Sequence, residues 1–155
     1  MLHFAYGSNM SRAVMRRHAP QAQPIGVAAL SDYCFVITAD GYASVEPKRV
    51  DKVYGVLWRL TARDYVTLAA WENIASGLYR VESLPVRQGG YRRAAVTYIA
   101  RPSKPGPART GYMELVIAAA LEWRLPDAYI VSLRQFLPKR PSGTRPRMFR
   151  EFGWT

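Results

Sequence analysis

The sequence predicts an α+β fold: an antiparallel, partly closed, barrel-like β-sheet with flanking helices. Three observations favour this class. Strand-like segments follow one another along the chain, two of them are joined by a hairpin turn, and the helices between them are too irregularly spaced for a doubly wound parallel sheet. With 155 residues, the chain has the length at which one hydrophobic core forms.

The strands are recognised by runs of β-branched and aromatic residues between turn signals. We expect Pro47 to stop one short strand, Gly55 to mark a close backbone approach or a bulge, and Gly89 and Gly90 to form a hairpin loop. The strand that starts at residue 25 is expected to break near residues 31–32. The predicted strands are 2–5, 25–38, 42–46, 52–60, 78–87 and 91–100.

The helices are recognised by apolar periodicity and by capping residues. Asn9 or Ser11 is the candidate N-cap of the first helix. Thr61 and Asp64 have the spacing of a capping box before the second. The predicted helices are 11–18, 61–71, 110–124 and 127–136.

The C-terminal segment differs in composition from the rest of the chain. We therefore predict a domain over residues 1–137 and a basic Pro/Arg-rich tail over residues 138–155. Because the tail combines five Lys/Arg with three Pro, we expect it to be weakly coupled to the core, although its three aromatic residues favour some docking. Limited proteolysis under native conditions tests this: we expect cleavage between Pro138 and Arg150, and its absence would show a packed tail.

The net charge of +11 raises the question of a polyanionic partner. Of the 22 basic residues 18 are Arg, but they are spread along the sequence, without zinc-ligand spacing, heptads or an RNA-binding sheet signature. We therefore expect no specific nucleic-acid partner, only weak association that disappears near physiological salt.

Cysteine usage and hydrophobic patterning indicate the compartment. One cysteine, Cys34, cannot close an internal disulfide, and its strand-like surroundings favour a packing role. No signal-peptide pattern is visible, and no apolar run approaches the roughly 20 residues of a membrane helix. The expectation is a cytoplasmic protein that does not associate with membranes.

Two segments carry candidate chemistry. At residues 6–10 a strand enters a tight Gly-Ser-Asn turn before a helix, which leaves backbone N–H groups available for a carboxylate or phosphate. Glu72 lies at a helix end beside Trp71, where the dipole and the apolar neighbour would both raise its pKa. An ordinary capped turn and a solvated glutamate explain the same residues without any function.

The combination of segments resembles the γ-glutamylcyclotransferase family, including its AIG2-like and butirosin-pathway members. The resemblance spans roughly residues 4–135. The Leu-Asp-x-x-Glu-Gly pattern of the family appears with Ala69 in place of the Asp and Asn73 in place of the Gly. The landmarks are Tyr6-Gly7-Ser8-Asn9-Met10, the strand 52–60, Glu72 with Gly77 and Tyr79, Tyr98, Tyr112, and Leu125-Pro126-x-x-Tyr129.

The resemblance implies a reaction and a site. A γ-glutamyl amine or peptide is cyclised to 5-oxoproline as its own α-amine attacks its γ-carbonyl, with Glu72 as acid and base. The amides of Gly7, Ser8 and Asn9 would hold the substrate carboxylate or polarise the carbonyl. A small γ-glutamyl molecule is the implied partner, and no metal or organic cofactor is needed. Tyrosines would line the pocket: Tyr6, Tyr79, Tyr98 and Tyr112.

The alternative is a binding module. An inactive family member could bind a γ-glutamyl-like ligand, or a nucleic acid or acidic partner through its basic surface. A cleft that joins Glu72 to residues 7–9 favours the enzyme. A continuous arginine stripe remote from Glu72 favours nucleic acid. The sequence alone determines neither the leaving amine nor the oligomeric state.

Overall fold

The computed structural model of the chain describes residues 1–72 and 76–139, which form five strands and four helices. A short 3-10 turn over Ser8–Met10 separates the first strand from the first helix. The strands are β1 Leu2–Ala5, β2 Gln23–Ile37, β3 Ala43–Arg59, β4 Tyr79–Gln88 and β5 Tyr91–Ala100. The helices are α1 Arg12–His18, α2 Ala62–Trp71, α3 Tyr112–Glu122 and α4 Asp127–Arg134.

The five strands close into a barrel in the order β1-β3-β2-β4-β5. The contact that closes the barrel is parallel and pairs His3 of β1 with Val96 of β5. The other pairings along the described strands are antiparallel. The predicted α+β class with a barrel-like sheet is confirmed, and the structure adds that the sheet is mixed and closed.

The longest strand corrects the sequence prediction. The strand predicted over 42–46 does not stop at Pro47, because β3 continues for 17 residues and Pro47 pairs with Tyr33 of β2. β1 pairs with β3 only over residues 56–59, so the other edge of β3 has no described partner strand at Pro47. A proline, which lacks the N–H group, is tolerated at such an edge.

The break predicted near residues 31–32 is a bulge within a continuous strand. The register of β2 shifts between Ser31 and Tyr33, and Asp32 has a φ of 64°. The Asp32 carboxylate accepts a hydrogen bond of 3.0 Å from the backbone N–H of Val50 on β3. This side-chain bond spans the irregular stretch, where Asp32 of β2 lies opposite the unpaired residues 48–51 of β3.

Gly55 of β3 lies directly against the end of β1. A Cβ atom at this position would stand 2.2 Å from the Ala5 carbonyl oxygen and 2.8 Å from the Phe4 ring. The predicted close backbone approach is therefore confirmed. Ala5 is the last residue of β1, so Gly55 fixes the strand from which the loop at residues 6–9 departs.

The helix starts follow the capping signals of the sequence. Ser11 caps α1, with its hydroxyl accepting from the Val14 N–H, and Thr61 and Asp64 form both halves of the capping box before α2. The hairpin between β4 and β5 turns through Gly89 and Gly90 as predicted.

Helix α3 covers the loop end of the barrel. It buries Met113, Val116 and Ile117 among other residues, and the indole N–H of Trp123 after its last turn donates to the Met10 carbonyl at 2.7 Å. The packing of α3 therefore holds the loop at residues 6–10 against the sheet.

Two further expectations concern the C-terminal tail and membrane-spanning helices. The predicted tail over residues 138–155 lies outside the described residues except for its first two positions, so its weak coupling to the core stays a prediction. None of the described helices combines the length and the hydrophobicity needed to cross a membrane.

Candidate active site

A cleft of about 680 Å³ opens at the end of the barrel where β1 leads into α1. Residues from the loop after β1, from α1, the end of α2, β4, β5 and α3 line it. The structure brings together in this one cleft all eight site residues predicted from the sequence: Tyr6, Gly7, Ser8, Asn9, Glu72, Tyr79, Tyr98 and Tyr112.

The loop at one side of the cleft requires a glycine for space. Gly7 has a φ of −110°, which any residue can adopt, but a Cβ atom there would lie 2.8 Å from the Tyr112 hydroxyl. The next residues form the 3-10 turn, in which the Met10 N–H donates to the Gly7 carbonyl at 3.1 Å. The absent side chain lets the Tyr112 hydroxyl reach the backbone of the loop.

Two tyrosine hydroxyls converge on Ala43, the first residue of β3. The Tyr79 hydroxyl donates to the Ala43 carbonyl at 2.9 Å, whereas the Tyr112 hydroxyl accepts from the Ala43 N–H at 3.3 Å. Burial raises the pKa of Tyr112 to about 12, so its hydroxyl keeps its proton at neutral pH. Hydrogen bonds from Ala43 and from Ser8 lower the pKa of Tyr112 and partly offset this rise. Because the phenol oxygen accepts in these bonds, its proton can be donated to a ligand in the cleft.

The other two tyrosines that line the cleft, Tyr6 and Tyr98, are buried. The Tyr6 hydroxyl donates to the Tyr98 backbone carbonyl, and burial raises the pKa of both phenols. The Tyr98 hydroxyl is buried without a hydrogen-bond partner among the described residues. Tyr6 therefore joins the end of β1 to β5, and the charge of Glu72 adds to the rise in the pKa of Tyr98.

Glu72 stands immediately after α2 and faces the loop. Its backbone N–H donates to the Leu68 carbonyl at 2.9 Å, and its Oε1 accepts from the Asn9 side-chain amide at 2.6 Å. Burial raises the pKa of Glu72 to about 7, and the hydrogen bond from Asn9 opposes this rise because it favours the charged form. The carboxyl group can thus gain and lose a proton near neutral pH.

This arrangement sets a titratable carboxyl opposite a loop of backbone amides and a phenol that can donate. The AIG2-like family model matches residues 52–133, more than half of the chain. The chain belongs to the AIG2-like family. The match includes Glu72, Tyr79, Tyr98 and Tyr112 of the cleft.

Known relatives extend the likeness of this AIG2-like protein to nearly the whole chain. The γ-glutamylcyclotransferases of Mus musculus and Homo sapiens are each 26% identical to it over 153 residues, covering 92% of this chain and 81% of the relative. A solved structure of a γ-glutamyl cyclotransferase superposes with a TM-score of 0.84 at 25% identity, covering 93% of this chain and 92% of the other.

Sequence reasoning missed the bond between Asn9 and Glu72, which joins residues 63 positions apart. It also missed His3, which lines the cleft fully buried. Its Nδ1 lies 3.0 Å from the Val96 carbonyl, and burial lowers the pKa of His3 to about 4, so the ring is neutral. In the described part of this AIG2-like protein, no cluster of His, Cys, Asp and Glu is arranged to hold a metal ion.

Proposed function

We propose that the protein is a γ-glutamylcyclotransferase-type enzyme that converts a γ-glutamyl amine or peptide into 5-oxoproline and the free amine. The observation that carries the proposal is the hydrogen bond between Glu72 and Asn9. It holds a carboxyl group with a pKa of about 7 against the loop after β1, inside a cleft large enough for the substrate. The likeness to named γ-glutamylcyclotransferases supports the same chemistry.

The reaction needs one group that takes a proton and then returns it. The ionised carboxylate of Glu72 accepts a proton from the α-ammonium group of the substrate, and the free amine nitrogen then forms a bond to the γ-carbonyl carbon. The neutral carboxylic acid donates that proton to the departing nitrogen as the original C–N bond breaks. The carboxylate then takes the second proton from the new lactam nitrogen and passes it to the freed amine, which leaves as ammonium. Glu72 ends the cycle ionised, and the five-membered lactam is 5-oxoproline.

The rest of the cleft supplies geometry and charge stabilisation. Nucleophile and carbonyl belong to one molecule, so the protein gains rate chiefly by holding the folded-back conformer. In this proposal the Tyr112 hydroxyl and the amides of residues 7–9 bind the carboxylate of the substrate or the oxygen of its γ-carbonyl. Tyr79 is engaged with Ala43, so it positions β3 beside the cleft.

Asn9 has a separate part in the proposed mechanism. Its amide fixes Oε1 of Glu72 and, by favouring the ionised form, keeps the pKa of that carboxyl group from rising further above neutrality. Without it, less of the enzyme would hold the carboxylate that starts the reaction.

The pH dependence of the rate follows from the same group. Because Glu72 must be ionised to accept the first proton, we expect kcat/KM to rise with pH up to about 7 and then level as the carboxylate saturates. In Asn9→Ala the pKa of Glu72 rises, so the acid limb moves to higher pH. Initial rates measured between pH 5 and 9 check both statements. A profile that is flat through pH 7 would contradict them.

A panel of γ-glutamyl dipeptides and γ-glutamyl amines, assayed for 5-oxoproline by mass spectrometry, tests the function. We expect release from at least one member at a rate proportional to enzyme. No release from any member, with 5-oxoproline still binding in calorimetry, would favour the binding module. Activity would place the protein among enzymes that use γ-glutamyl compounds, such as those of glutathione metabolism, and its cytoplasmic location stays a prediction.

A further inference from the structure

The outer part of the cleft is not used by the proposed chemistry. A volume of about 680 Å³ lies within the range of pockets that hold drug-sized ligands, whereas a γ-glutamyl group is much smaller. Among the groups proposed to act on it, Asn9 is buried and Glu72 and Tyr112 are half-buried. The leaving part of the substrate therefore has a large space, lined by Ala13, Val14, Arg17, His18, Trp71 and Leu115.

That outer wall is apolar and open to solvent. Trp71 and Leu115 are 50% and 38% exposed, although both are large hydrophobic residues that usually avoid water. The ring of His18 stacks on Trp71 with 3.9 Å between centroids and 19° between planes, which holds the indole in place. A substrate side chain that packs on this wall would remove the exposed surface of Trp71 and Leu115 from water.

The charge of the wall is positive. Arg17 lines the cleft, and it forms no ion pair with any described residue. Glu72 is the only acid among the described residues that line the cleft, and the chain carries a net charge of +11. An anionic leaving group is therefore attracted to this wall, and a cationic one is repelled.

We infer that the amine released is an aromatic or bulky apolar α-amino acid, whose side chain packs on Trp71 and Leu115 and whose carboxylate pairs with Arg17. This inference rests on the proposed function and names the substrate class for the same site. It makes these three residues determinants of specificity, with no part in the proton transfers.

Four γ-glutamyl conjugates separate the contribution of the apolar side chain from that of the carboxylate. They are γ-glutamyl-phenylalanine, γ-glutamyl-alanine, γ-glutamyl-phenethylamine, which lacks the carboxylate of phenylalanine, and ε-(γ-glutamyl)-lysine. We expect kcat/KM for γ-glutamyl-phenylalanine to exceed that for γ-glutamyl-alanine by roughly tenfold or more, because a bulky apolar group gains more from an apolar pocket than a methyl group. The lysine conjugate is expected to be the poorest, because its leaving group ends in an α-ammonium and a carboxylate and has no bulky apolar side chain to pack on Trp71 and Leu115.

Two variants with matched controls test whether Trp71 causes the side-chain preference and Arg17 the carboxylate preference. Trp71→Ala should lower the phenylalanine-to-alanine ratio toward one, whereas Val66→Ala, an exposed apolar residue of the same helix outside the cleft lining, should leave it unchanged. Arg17→Gln should raise KM for γ-glutamyl-phenylalanine and not for γ-glutamyl-phenethylamine. Arg16→Gln, its exposed neighbour outside the cleft lining, should do neither.

The outcomes distinguish the two levels of the proposal. If none of the four conjugates releases 5-oxoproline while another member of the wider panel does, this inference alone is overturned. If no member of either set releases it, the proposed function is overturned as well. If all four react with similar kcat/KM, or if alanine is preferred, the inference alone is overturned. If Trp71→Ala weakens both dipeptides equally through its neighbour Glu72, Leu115→Ala decides: a reduced ratio supports the inference and an unchanged ratio overturns it.

Discussion

The Glu72→Gln variant is expected to keep the fold and to lose turnover by at least the 10²–10⁴-fold that general acid–base steps typically contribute. Glutamine preserves the shape and can still accept the Asn9 hydrogen bond, but it cannot accept and return a proton near pH 7. At pH 8 the wild type buries a charged carboxylate at position 72, whereas the variant buries a neutral amide. The free energy of unfolding of Glu72→Gln at pH 8 should therefore equal or exceed that of the wild type. Rates of 5-oxoproline release and urea denaturation measure the two effects.

Glu82→Gln is the matched control for this result. Glu82 lies on β4 outside the cleft lining and pairs with the exposed Arg80 at 2.6 Å. An exposed pair of this kind contributes little to stability, so both turnover and stability should stay near wild type. Undiminished 5-oxoproline release by Glu72→Gln would remove Glu72 from the chemistry and with it the assignment of the active site.

Gly55→Ala is expected to cause the largest loss of stability among single substitutions at glycine. The added methyl group would overlap the Ala5 carbonyl oxygen at 2.2 Å and the Phe4 ring at 2.8 Å, so β1 must move. Overpacking of this kind costs about 3 kcal/mol, which exceeds the roughly 0.4–1 kcal/mol gained by restricting the unfolded chain. Since β1 leads into the loop at residues 6–9, the remaining folded protein should also lose activity.

Gly90→Ala provides the comparison. Gly90 lies in the turn between β4 and β5, and a Cβ atom there would have no heavy atom within 4 Å. The denaturation midpoint of this variant should lie close to that of the wild type. A Gly55→Ala protein with the same midpoint as Gly90→Ala would show that β1 and β3 do not approach as closely as the structure places them.

Local sequence signals predicted much of the fold because their causes are local. The Thr61–Asp64 capping box, the Ser11 cap and the hairpin at Gly89–Gly90 each depend on residues within a few positions of one another. The same holds for the loop after β1, where a short strand precedes small residues and a helix. Glu72 is predicted as a site residue from its place at a helix end and from the family resemblance.

Contacts between residues far apart in the sequence could not be predicted from these local signals. The continuation of β3 through Pro47 depends on which edge of the strand lacks a neighbour, and the parallel contact of His3 with Val96 depends on how the barrel closes. The hydrogen bonds from Asn9 to Glu72 and from Tyr79 to Ala43 form only when segments distant in sequence meet. Sequence patterns record the residue types at such contacts but not the pairing.

Product analysis in water enriched in oxygen-18 tests the central claim most directly. If the α-amine of the substrate is the nucleophile, the enzyme should form 5-oxoproline that carries no label, in an amount equal to the amine released, because no water adds to the γ-carbonyl. Free glutamate with oxygen-18 in its γ-carboxyl group would show hydrolysis in place of cyclisation and would contradict the proposed function.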